Sequence, residues 1–85
     1  MPTRRVRELA EELARELERD GALDAETRDA LAELRGEVES ALEEDAPASP
    51  PSARAHGFVE RFERDHPELT ALVQRLADAL QAAGL

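Results

Sequence analysis

The chain reads as a succession of narrow apolar stripes separated by polar stretches. Val6, Leu9, Leu13 and Leu17 recur at helical spacing within about 80° of arc, and Ala10 and Ala14 widen that edge. Glu8, Glu11, Glu12, Arg15, Glu18 and Arg19 occupy the other side, the pattern of a surface helix with one buried seam. Thr3 is expected as its N-cap and Gly21 as its left-handed terminator. A second stripe of Leu31, Leu34, Val38, Ala41 and Leu42 predicts another helix, capped by Asp24. Gly36 inside it costs about 1 kcal/mol relative to Ala, which a close helix crossing would explain and so would drift. Residues 20–23 are too few to join anything but antiparallel neighbours, so residues 4–44 predict a helical hairpin.

Residues 45–53, DAPASPPSA, carry three Pro and two Ser and predict an extended linker. Beyond it, Phe58, Phe62, Leu69, Leu76 and Leu80 keep one helical phase although Pro67 interrupts the backbone. One helix kinked near His66 would preserve that phase, as would two nearly collinear helices with Pro67 at the first position of the second. Two segments with a tight junction are the expectation for residues 54–83, broken near Pro67, with Gly84 as terminator. The expected fold is therefore all-α and a single domain. An antiparallel helical hairpin and a proline-interrupted C-terminal helical arm form a three- to four-helix bundle, with the chain direction reversing twice.

Charge sharpens this picture. Twenty acidic residues oppose 11 basic ones, all Arg, for a net charge of -9, and residues 23–46 carry -7 of it. In an antiparallel hairpin, Arg4 and Arg5 should lie nearest Glu37, Glu39 and Glu43, each helix terminus offsetting the other's dipole. Of the 41% hydrophobic residues nearly half are Ala, and a core so short of large side chains rarely supplies more than ~3–5 kcal/mol. Self-association is the expected remedy, as a homo-oligomer and most simply a dimer. Copies of the acidic second helix would repel, so the seam is expected on the first and last helices. The lack of Lys, Asn and Ile suggests a GC-rich bacterial genome, although an acidic halophile would show a similar excess of carboxylate.

Composition also removes function classes. Without Cys there is no disulfide framework, thiolate zinc site or thiol nucleophile. No apolar run approaches the ~18 residues of a membrane span, and the Arg-rich start lacks the apolar stretch of a signal peptide. No membrane association and a cytoplasmic location are the expectations. Nucleic acid is disfavoured by the net charge, since phosphate would repel it. No Gly-rich phosphate loop or nucleophile elbow occurs.

The sharpest candidate chemistry is Glu63-x-x-His66. On a bundle helix this spacing sets a carboxylate and an imidazole on one face, as di-iron carboxylate sites require, and a dimer would supply two copies. Both residues flank the Leu69 stripe, however, and neither hairpin helix offers an inward Glu. His56 and Glu60 give only two ligands, projecting away from the apolar stripe. The expectation is that the chain has no catalytic, cofactor-binding or metal-binding residues. It reads as a non-catalytic protein–protein interaction or scaffolding module that self-associates. The alternative is a metal-binding bundle using Glu63 and His66 across a dimer, and a third reading is an acidic regulator of a basic protein.

Phe62-Glu63, His66-Pro67, Leu69-Thr70, Arg75, Asp78, Leu80 and Gly84-Leu85 together resemble the C-terminal signature of a family of short bacterial proteins, domain of unknown function 4404. The likeness is close over residues 58–85. Over the first 45 residues it consists mainly of two Leu-periodic helices joined near Leu23-Asp24. The resemblance implies a compact helical protein and transfers no catalytic residue. Ala77, Ala82 and Ala83 stand where such proteins often carry Met or Ile, so thinner packing is expected in the last turns.

Overall fold

The structure, a computed structural model, describes residues 3–19, 23–43 and 50–85. Within them the chain forms four helices and no strand: α1 (Thr3–Arg19), α2 (Ala25–Glu43), α3 (Pro51–Phe62) and α4 (Pro67–Ala82). The stripes read from the sequence become one core. Val6, Leu9 and Leu13 of α1 meet Leu31, Leu34 and Val38 of α2, Phe58 and Phe62 of α3, and Val73, Leu76 and Leu80 of α4. Burying such stripes is worth about 25 cal/mol per Å² of apolar surface, and helices in proteins draw most of their stability from such packing.

Each helix packs against its two neighbours in the cyclic order α1, α2, α3, α4. Among the described residues no Cα pair lies within 8 Å across either diagonal. Neighbours run antiparallel. Arg54 pairs with Glu37 and Arg61 with Glu26, which aligns the start of α3 with the later part of α2. A cleft lined by Glu16, Glu68, Leu69 and Leu72 sets the end of α1 beside the start of α4. The architecture is a four-helix bundle of alternating direction.

The C-terminal arm departs from expectation. Pro67 does occupy the first position of α4, where its missing N–H is no loss. The two segments are not collinear, however, because the chain turns back through residues 63–66 and α4 lies antiparallel on α3. The Ser52 amide reaches the Leu85 carbonyl at 3.5 Å, and Gln74 meets His56 Nε2 at 3.5 Å. His66, at φ -136° and ψ 66°, breaks the helical path. Periodicity could not distinguish these cases: a helix that folds back on its predecessor presents an apolar stripe just as a continuing one does. The chain therefore reverses three times, not twice.

Other boundaries also move. Pro51, Ser52 and Ala53, assigned to the linker 45–53, belong to α3, where Pro51 takes the first turn without needing a donor. Residues 44–49 and the expected terminator Gly21 lie outside the described residues. Thr3 is the first residue of α1 and not its cap. Arg4 and Arg5 turn to Glu8 on their own helix, at 3.3 and 3.7 Å, instead of crossing to α2. Glu37 and Glu39 are engaged by Arg54 and Arg35 at 3.1 and 3.2 Å. Arg7 is the α1 cation that shares a cleft with Glu39 and Glu43.

The expected thinness of the last turns holds at Ala82, which is exposed, and at the half-buried Ala83, but not at Ala77. Ala77 and Leu80 are fully buried, as is Ala55 on the facing helix α3. Small side chains there let the two helices approach. Gly84 (φ 78°) closes α4 as expected: its N–H bonds the Gln81 carbonyl at 3.0 Å, while Leu85 N–H returns to Leu80 at 2.8 Å. Gly36 has no such role, since a Cβ there would meet nothing within 4 Å, so no close helix crossing explains it. Gly36→Ala should therefore stabilise the bundle by about 0.5–1 kcal/mol, whereas Gly84→Ala should destabilise it by a similar amount. Thermal denaturation reads both, with about 4–8 °C expected per kcal/mol at this size.

Candidate functional site

Titratable and hydroxyl side chains converge at the end of the bundle where α2 begins and where α3 turns into α4. Asp24 immediately precedes α2, and its backbone carbonyl accepts the Arg28 N–H at 3.0 Å, the first bond of the helix. Its carboxyl is held below the ordinary aspartate value. The Thr27 hydroxyl is the main cause; desolvation, next in size, opposes it, and backbone N–H groups and the nearby His66 ring add to the lowering. Thr27 is only 1% exposed, and its hydroxyl oxygen lies 3.4 Å from His66 Nε2. His66 Nε2 also stands 3.7 Å from Asp24 Oδ1. The His66 carbonyl and that of Pro67 accept from the Thr70 hydroxyl at 3.0 and 3.1 Å, so the turn is held from both sides.

This arrangement is a latch between the two helical hairpins. Beside it Arg61 binds Glu26 and lies 5.0 Å from the centre of the Phe62 ring. Phe62 in turn stacks obliquely on Phe58 at 4.7 Å. Chemically, the cluster lacks what nucleophilic catalysis needs. Thr27 is sealed from solvent, and the surface clefts on the bundle are lined by other residues.

The sequence-derived pairs fare differently. Glu63 is exposed and caps the C-terminus of α3, while His66 lies beyond the helix with its ring turned to Thr27 and Asp24. The helical spacing that motivated Glu63-x-x-His66 therefore does not hold. Among the described residues no group of three or more His, Asp or Glu side chains is placed to hold a metal ion. His56 does not project away from the apolar face as expected; it is half-buried against Gln74 of α4, whose amide also donates to Asp78 at 3.2 Å. Sequence reasoning missed Thr27 and Thr70, the buried hydroxyls of this cluster. Thr27 was detectable as the third helical residue after a capping Asp, a position whose N–H and side chain both face the cap.

A family model described as Domain of unknown function (DUF4404) matches residues 6–85, nearly the whole chain. No curated protein and no solved structure matches.

Because the folded Asp24 carboxyl titrates below its unfolded counterpart, its contribution is complete above the unfolded value and lost as pH falls through the folded one. Asp24→Ala should lower the melting temperature at neutral pH, and the gap from the native chain should narrow in that acidic window. A gap independent of pH would remove the carboxylate from the latch.

Proposed function

The chain belongs to the domain of unknown function 4404 family, a description that carries no activity, and on that premise we propose a non-catalytic protein–protein interaction or scaffolding module that self-associates. Leu69 and Leu72 carry this reading. Both are large aliphatic side chains of α4 left only half-buried, and with Leu23 they line a cleft between α4 and the end of α1. A folded chain with a small core gains most by covering such side chains with another surface. The latch around Thr27 accords with a structural role, since it spends its polar groups on holding helices together.

The working form is a homo-oligomer, most simply a dimer, acting in the cytoplasm without nucleic acid, membrane or cofactor. No helix among the described residues is long and apolar enough to cross a membrane. The acidic face of α2 points away from the proposed seam and keeps the assembly soluble. Metal binding through Glu63 and His66 gains no support from their placement.

Light-scattering mass over a dilution series tests the proposal. The mass should rise from that of one 9.4 kDa chain towards that of two as concentration increases. A single-chain mass up to about 1 mM would overturn self-association, since millimolar affinity is only about -4 kcal/mol.

A further inference from the structure

The charges bordering the half-buried Leu72 follow an order that inverts its signs about a centre. On α4, Glu68 and Arg75 stand two helical turns apart, symmetric about Ala71-Leu72. On α1, Glu12 and Arg19 are likewise symmetric about Arg15-Glu16, and that central pair is itself of opposite sign. Leu72 shares a cleft with all four of these α1 residues, which sets the two centres of symmetry level with each other on one face. Ala71 at the centre is exposed and small. Among the described residues none of these six charges belongs to an ion pair within 4 Å. On the opposite face Arg54 and Arg61 are already bound by Glu37 and Glu26.

The geometry points to a second copy of this chain as the occupant of the α1–α4 face. It would dock antiparallel about a two-fold axis through Ala71 and Leu72. This proposal rests on the self-association reading and specifies its surface. A two-fold axis brings residue i of one copy to residue j of the other and j to i. Rotation about this axis sets Glu68 of each copy against Arg75 of the other, Glu12 against Arg19, and Arg15 against Glu16. Each of these six charges then meets its opposite, Glu18 of the same cleft having no counterpart in the set, the two copies of Leu72 cover each other, and Ala71 permits close approach. The same axis keeps the acidic α2 of each copy on the outside, away from its counterpart. An unrelated partner would have no reason to match this self-complementary order.

Charge exchange tests the seam without disturbing the core, because Glu68 and Arg75 are exposed. Sedimentation or light scattering would compare the native chain with Glu68→Arg, Arg75→Glu and the double variant, with circular dichroism confirming equal helicity. Each single variant sets like charges together twice across the axis and should weaken the dimer by about tenfold or more, while the double variant restores opposition and should recover native affinity. A native chain that stays single at about 1 mM would overturn this seam together with the self-association reading. A native dimer indifferent to the single variants, or not recovered by the double one, would overturn the seam alone.

Discussion

Four amphipathic helices of 12 to 19 residues bury their stripes in one another, and every other feature depends on that shared burial. Each stripe is too narrow to stabilise its helix against the entropy of ordering the chain. Brought together, Leu9, Leu13, Leu31, Leu76 and Leu80 become almost wholly inaccessible. The polar devices act at the margins of this core. Asp24 and Gly84 close helix ends, Pro67 starts one, and the bonds among Thr27, Asp24 and His66 tie the turn of one hairpin to the entry of the other.

Much of this was legible in the sequence because it depends on local spacing. The apolar phases of α1, α2 and α4, the capping position of Asp24, the first-turn place of Pro67 and the terminator Gly84 all rest on residues within a few positions of one another. The relative direction of α3 and α4 was not legible, because periodicity records which face is apolar and not whether the chain continues or doubles back. Tertiary pairing escaped for a similar reason. Arg4 and Arg5 had complementary charges available on α2, yet Glu8 one turn away was closer and required no alignment of two helices. Thr27 escaped because a hydroxyl breaks the apolar pattern although it occupies the buried face.

The candidate chemistry was legible only as residue types. Glu63 and His66 have the spacing of a helical ligand pair, but the helix ends between them, so the spacing carries no face. The polar groups that do converge use their hydrogen-bonding capacity inside the protein. Charge divides the surface in the same way. Across the α2–α3 side Arg54 and Arg61 are bound by Glu37 and Glu26, while the α1–α4 side leaves an alternating set beside half-buried leucines, and function is sought on that side. The net charge of -9 alone did not reveal this, because most of it belongs to the α2 segment.

The central claim is that the helices stand or fall together. Native-state amide hydrogen exchange tests it most directly, read at Leu13, Leu34, Phe58 and Leu76, one core position in each helix. Equal protection at all four, matching the free energy of global unfolding, is the predicted result. Retained protection in α3 and α4 while α1 and α2 exchange as freely as an unfolded chain would contradict a single shared core.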